Sequence, residues 1–235
     1  MKIAALIPAR SGSKGLEDKN MQTVGGMTLI NIAVWHASMI SKLRDVYVSS
    51  DSERYIEHSE DIGASPIMRP AKLAEDMTPT IEVVKHAAPF IDADYIAIFQ
   101  PTHPFRMMQG IIADLPAFLD SGNRSGCSYR QTDEHIYRRY KARSEAPLLP
   151  VNRAWGMRPR RQDRTHDFYI DSGEFFIMRN GSYLETALDI VHGDEQTSPH
   201  VFPGCLICDI HDQADLDLAN RLWKPEFLGG VDARP

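Results

Sequence analysis

Arg10, Lys14 and Lys19 stand in a loop that also holds Ser11, Gly12, Ser13 and Gly15, directly after an apolar run over 3–7 that ends at Pro8. Glycines let a backbone approach an anion closely, and successive backbone N–H groups can form a concave nest. The three cations add charge that a backbone cannot supply. The loop is shaped for phosphate, although a solvated turn after an edge strand would hold the same residue types. It is neither of the common nucleotide motifs, since no Gly-x-x-x-x-Gly-Lys-Ser/Thr and no Gly-x-Gly-x-x-Gly can be read in it. A second candidate, Gln100, follows the apolar run 95–99. Its amide offers both donors and an acceptor, which suits a neutral polar edge or a sugar hydroxyl.

The elements that must position these groups follow an α/β pattern. Strand-like and helix-like runs alternate through the first half, as in βαβ units with a mostly parallel sheet. The pattern predicts strands over 2–9, 46–48 and 125–130, a central strand over 95–99, and helices over 28–41, 53–62, 80–90 and 109–119. Ligand-facing residues in such sheets sit at strand C-termini, where Asp51 falls. Asp51 can equally cap the helix over 53–62, and the cap is the expected role. From 134 to 164 the pattern dissolves into prolines, arginines and weak alternation, which predicts an inserted hairpin. The expectation is one catalytic domain over 1–235 with 134–170 as an inserted arm.

Composition narrows the function classes. A chain of 235 residues, 43% hydrophobic and 25% charged, can bury a substantial core. The net charge of −6 argues against nucleic acid as the main partner. The basic segment 138–164, with nine Lys or Arg against Glu145 and Asp163, needs a local explanation: a solvated loop, an RNA contact or an arm meeting an anionic substrate. The first apolar run is too short for a signal peptide and no stretch reaches membrane-spanning length, so a cytoplasmic protein with no membrane partner is expected. Cys127, Cys205 and Cys208 fit a reducing compartment, and the apolar pair inside Cys205-Leu206-Ile207-Cys208 reads as buried strand rather than a metal motif.

The opening run Ile7-Pro8-Ala9-Arg10-Ser11-Gly12-Ser13-Lys14-Gly15, with Lys19-Asn20 after it, resembles the signature of the N-acylneuraminate cytidylyltransferases, or CMP-sialic acid synthetases, and their nonulosonate relatives. Further blocks are similar in order: Arg69-Pro70 through Leu73-Ala74-Glu75-Asp76, Gln100-Pro101-Thr102-His103-Pro104-Phe105-Arg106, Arg161-Gln162-Asp163, and Asp209-Ile210-His211 through Asp215-Leu216. The resemblance implies a Rossmann-like, GT-A-like nucleotidyltransferase fold with an inserted dimerisation hairpin. It implies nucleotide contacts from Ala9, Arg10, Ser13, Gly15, Asn20, Arg69 and Gln100, with Arg10, Lys14, Lys19 and Asp209 carrying catalysis. It also implies a homodimer whose arm reaches into the partner's site.

On the sugar side the resemblance implies roles for Gln100, Arg138, Arg161, Ser172 and Phe176. Arg138 stands where relatives carry lysine, and Arg161 is a candidate two-point clamp for a sugar carboxylate. Relatives that use sialic acid read Arg-Pro-Asn-Gly where this chain reads Ile170-Asp171-Ser172-Gly173, and the stretch 171–176 is closer to the Asp-Ala-Gly-Gln-Phe-Tyr of pseudaminic acid enzymes. His103 occupies a variable position of its motif and is left outside the expected site.

In these relatives two alternating aspartates hold Mg²⁺, and position 211 here is histidine. On a strand, 209 and 211 share one face. Mg²⁺ prefers oxygen, so His211 is expected to act through a bound water, or the site to accept Mn²⁺ more readily. Asp212 is expected to cap the next helix, with Asp215 in its first turn. The implied reaction joins CMP from CTP to the anomeric hydroxyl of an acidic nine-carbon sugar and releases pyrophosphate. Pseudaminic acid or an eight-carbon keto-deoxy acid is the alternative substrate. A catalytically impaired nucleotide- or RNA-binding homologue is the alternative function.

Overall fold

A computed structural model describes residues 1–132, 140–143, 146–150, 168–187, 189–190, 200–204 and 208–224. In chain order the strands are β1 (Ile3–Pro8), β2 (Thr23–Val24), β3 (Met27–Thr28), β4 (Leu43–Ser50), β5 (Ser65–Met68), β6 (Tyr95–Ile98), β7 (Ser125–Thr132), β8 (Tyr140–Arg143), β9 (Ala146–Pro150), β10 (Phe168–Arg179) and β11 (His200–Pro203). The helices are α1 (Leu29–Ser38), α2 (Glu53–Asp61), α3 (Thr80–Ala87), α4 (Met108–Ser121), α5 (Ser182–Thr186) and α6 (Gln213–Leu222). The fold is α/β, as the alternation of patterns predicts.

Seven strands form one sheet in the order β11-β7-β10-β6-β1-β4-β5. β6, β1, β4 and β5 run parallel, whereas β10 is antiparallel to both of its neighbours. The unbroken apolar run of β1 makes sense because both of its faces are covered. Ile3, Ala5 and Ile7 pack with Ile30, Ala33 and Phe118 on one side. Ala4 and Leu6 pack with Ile81, Val84 and Ala87 on the other. β6 lies at the middle of the sheet, the place expected for the most apolar strand.

Parallel order brings the C-terminal ends of β1, β4, β5 and β6 to one edge, so the residues that follow them meet there. These are Arg10, Asp51, Arg69 and Gln100. On the sugar-side expectation, β10 shifts register against β7 between Asp171 and Phe176, and Gly173 in that step has φ 71°. The two-stranded β8–β9 hairpin lies where the inserted hairpin is expected. Arg138, Arg161 and Cys205 lie outside the described residues.

Two local expectations are corrected. Ser52, not Asp51, occupies the N-cap of α2. Asp51 is drawn instead toward the loop after β1, where unpaired donors are available. Cys208 is buried, but residues 208–211 form no strand, so alternation along a strand is not what relates Asp209 to His211. The cap of α6 is as expected: Asp212 accepts from Ala214 and Asp215 backbone N–H groups, and the Asp215 side chain accepts from the Asp212 N–H.

Candidate active site

The loop after β1 is fastened at several points. Ala9 N–H donates to the Ser49 carbonyl at 2.9 Å, continuing the β1–β4 ladder. Ser11 donates to Asp51 from both its backbone N–H, at 2.9 Å, and its hydroxyl, at 2.6 Å. Burial raises the Asp51 pKa, but the Ser11 bonds and the Arg69 charge outweigh it, and the carboxyl ends below its ordinary value. Asn20, buried, donates its amide to the Arg10 carbonyl at 2.9 Å. Gly12 turns the loop with φ 65°. Gly15 is required for a different reason: a Cβ there would lie 2.6 Å from the His211 carbonyl oxygen.

Arg10, Ser13, Lys19, Asn20, Arg69 and Gln100 line one pocket with Asp76, Thr78 and Thr102. Three separate motifs therefore converge, the loop with four residues and the others with Arg69 and Gln100. Arg69 is only 4% exposed and lies 3.8 Å from Asp51. Burial lowers its pKa and Asp51 counters this. Its Nε is buried with no hydrogen-bond partner among the described residues. Lys14 stands beside the pocket, bridged to Asp76.

Four expected contacts are placed elsewhere. Ala9 is fully buried in the core and Gly15 packs on the His211 carbonyl, and neither lines the pocket. Ser172 is 1% exposed and donates its hydroxyl to the Ser128 side chain at 2.8 Å. Phe176 is 2% exposed and pairs opposite Ile98 in the sheet. Both side chains are covered, Ser172 against Ser128 and Phe176 within the sheet, so neither is exposed to a sugar in this structure. Gly173, between them, approaches His103, whose Nε2 a Cβ would meet at 2.6 Å.

The metal end is joined to the loop. Lys19 Nζ donates to the Ile210 carbonyl at 3.0 Å, and Asp209 Oδ2 lies 2.9 Å from His211 Nε2. Burial lowers the Lys19 pKa, and Asp209 opposes the shift. Asp209 Oδ1 is buried and has no hydrogen-bond partner among the described residues. An orphaned carboxylate oxygen of this kind fits a cation. His211 is 72% exposed at its side chain and is a nitrogen donor, so it does not fit a hard ion directly. Among the described residues no three His, Cys, Asp or Glu side chains are placed to hold a metal. An ion at Asp209 would need further ligands from outside these side chains.

His103 is the residue that motif reading misses. It is 4% exposed, its Nδ1 lies 3.1 Å from Thr102 Oγ1, and its Nε2 lies 3.7 Å from Asp209 Oδ2. Burial lowers its pKa to about 4 against the pull of Asp209, so the ring is neutral near pH 7. Beneath it, buried Arg106 donates to the carbonyls of Gln100 and Glu174, tying the Gln100 loop to β10. Only its position after the central strand hints at His103 in the sequence.

Comparison with known proteins agrees with this geometry. The fold is similar to a CMP:2-keto-3-deoxy-manno-octonic acid synthetase complexed with CTP, with a TM-score of 0.72 at 14% identity over 94% of this chain and 98% of that one. It is also similar to 4-diphosphocytidyl-2C-methyl-D-erythritol synthase of Anaerococcus prevotii, with a TM-score of 0.62 at 14% identity over 94% and 95% of the chains. The likeness shows an α/β fold shared with these two proteins. Residues 4–145, more than half of the chain, match the family described as cytidylyltransferase, and the chain belongs to that family.

Among individual proteins, it is 40% identical over 112 residues to N-acylneuraminate cytidylyltransferase of Escherichia coli, covering 47% of this chain and 27% of that protein. It is 29% identical over 191 residues to the Streptococcus agalactiae protein of the same name, covering 78% and 45%. It is 26% identical over 230 residues to pseudaminic acid cytidylyltransferase of Campylobacter jejuni, covering 95% and 97%. The chain thus spans less than half the length of the two N-acylneuraminate enzymes.

Proposed function

We propose that this chain transfers CMP from CTP to the anomeric hydroxyl of an acidic nine-carbon 2-keto sugar of the sialic or nonulosonic class, releasing pyrophosphate. The observation that carries the reading is the convergence of Arg10, Ser13, Lys19, Asn20, Arg69 and Gln100 on one pocket, with Lys19 reaching the segment that holds Asp209.

In-line attack on the α-phosphorus spreads charge over phosphate oxygens, so the protein's task is positioning and neutralisation. Arg10, Lys14 and Lys19 meet the triphosphate and stabilise the leaving pyrophosphate. Ser13 and the loop backbone complete the cradle, Asn20 holds the Arg10 carbonyl in place, and Arg69, on the pocket wall, adds a further cation toward the nucleotide. Gln100, held from behind by Arg106, offers its amide to the nucleotide or the sugar. Asp209 is the residue that would hold Mg²⁺ or Mn²⁺, with His211 acting through water. A divalent cation there supplies Lewis-acid neutralisation of phosphate oxygens.

The same reading assigns residues 134–170 to an arm that pairs two copies, placing Arg138 and Arg161 of one copy near the sugar of the other. It includes a cytoplasmic homodimer built from one catalytic domain. No described helix is long and apolar enough to cross a membrane. Pseudaminic acid stands beside sialic acid as a candidate because the Campylobacter jejuni match runs nearly end to end in both chains. Detection of a CMP-sugar by mass spectrometry after incubation with CTP and each acid tests the reading, and absence of product with every acid would overturn it.

A further inference from the structure

Asp76 neutralises two of the cations assigned to the triphosphate. Its Oδ1 lies 2.8 Å from Arg10 Nη1 and its Oδ2 lies 2.5 Å from Lys14 Nζ. Arg10 Nη1 also donates to the Ala74 carbonyl at 3.3 Å, so one segment makes three contacts with the cradle. The bonds from Lys14 and then Arg10 hold the Asp76 carboxyl below its ordinary range. The segment lies between Pro70 and Pro79, joining β5 to α3. It contains the single 3-10 turn Ala71–Leu73 and is closed on itself by Thr78 Oγ1 donating to the Lys72 carbonyl at 3.0 Å. Met77, beside Asp76, is 89% exposed.

A carboxylate on a short tether competes at high effective concentration, on the order of millimolar. Arg10 and Lys14 cannot give their full charge to a polyphosphate while Asp76 bridges them. A phosphate chain that takes the places Asp76 holds on Arg10 Nη1 and Lys14 Nζ must therefore displace the carboxylate.

We propose that Asp76 is an internal competitor for polyphosphate: it occupies the cation pair in the free protein and sets how tightly CTP and pyrophosphate are held. This rests on the assignment of Arg10 and Lys14 to the triphosphate. The competing carboxylate weakens ground-state binding of the substrate and favours departure of pyrophosphate, the product that depends most on the same cations. A strut role, in which Asp76 holds the cations in a binding-competent place, predicts the opposite change when its charge is removed.

The probe is inorganic tripolyphosphate, measured by calorimetry on the metal-free full chain. Asp76→Asn keeps the side-chain size at an exposed position, and Asp76→Ser is the second variant should the first misfold. Removing the competing charge is expected to tighten tripolyphosphate binding about threefold to tenfold, given the modest worth of exposed ion pairs. Unchanged or weaker binding overturns the proposal. If wild type binds tripolyphosphate, Lys14→Ala weakens it and Asp76→Asn leaves it unchanged, the competitor role falls and the cradle assignment stands. If neither wild type nor Asp76→Asn binds, both fall.

Discussion

The Lys19 ammonium stands 3.0 Å from the carbonyl oxygen of Ile210, joining the loop after β1 to the segment of Asp209 across 191 positions of sequence. One cation thereby sits between the loop proposed to cradle phosphate and the carboxylate proposed to hold a metal. Burial lowers its pKa, and Asp209, the largest opposing influence, favours the charged form. Lys19→Ala is expected to keep the fold and to lower kcat about a hundredfold, the usual cost of losing one charge-stabilising donor. Thermal melting and steady-state turnover of the variant check both parts.

Gly15 is fixed by the same contact region. Its missing Cβ would meet the His211 carbonyl at 2.6 Å, and backbone atoms there cannot swing aside as a flexible side chain would. Gly15→Ala is therefore expected to destabilise the protein by about 1–3 kcal/mol and to push the loop from Asp209. A denaturant midpoint indistinguishable from wild type would show that the contact relaxes without cost.

Asp51 accepts two bonds from Ser11 and lies beside buried Arg69. Replacing it with alanine leaves the Ser11 N–H and hydroxyl without their acceptor and a buried cation without its neighbouring carboxylate. The expected loss is roughly 1–3 kcal/mol of stability, together with a higher KM for CTP. Asp51→Asn should recover part of the KM effect because its amide oxygen still accepts from Ser11.

Much of this arrangement is legible from residue order. The continuous apolar strands demanded a sheet covered on both faces, and parallel order then gathered Arg10, Arg69 and Gln100 at one edge. What is not legible depends on contacts between distant segments. Asp51 reads as a helix cap because nothing local shows that Ser11 will face it. Ser172 and Phe176 read as sugar contacts from a motif, and nothing local shows that Ser128 will cover the first and the paired strand at Ile98 the second. His103 is silent for a similar reason: its burial is created by Gly173 and Asp209, both far away in sequence.

His103 also gives a pH signature. Its folded-state pKa of about 4 lies below the ordinary value near 6.5, so the unfolded chain binds the proton first. The associated stability is fully present above pH 6.5 and is lost as pH falls from there toward 4, by up to about 1.4 kcal/mol per pH unit. Urea unfolding at pH 7.5 and 5 should show a larger loss in wild type than in His103→Gln. Parallel losses would show that His103 is not held neutral.

His211 offers a test of ion choice. Its ring is exposed and lies 2.9 Å from Asp209, where relatives of the resembled family carry a second aspartate. His211→Asp adds a hard oxygen donor and is expected to raise activity with Mg²⁺ relative to Mn²⁺. Equal ratios in the two proteins would remove His211 from the ion's surroundings.

The central claim is that the pocket lined by Arg10, Lys19, Arg69 and Gln100 performs cytidylyl transfer to an acidic sugar. It is tested most directly by pyrophosphate release from CTP, with Mg²⁺ or Mn²⁺, across sialic, legionaminic, pseudaminic and eight-carbon keto-deoxy acids. Release that requires both CTP and one of the nine-carbon acids, and that falls about a hundredfold in Lys19→Ala, is the predicted result. CTP binding without release for any acid would contradict the claim and leave a nucleotide-binding homologue in its place.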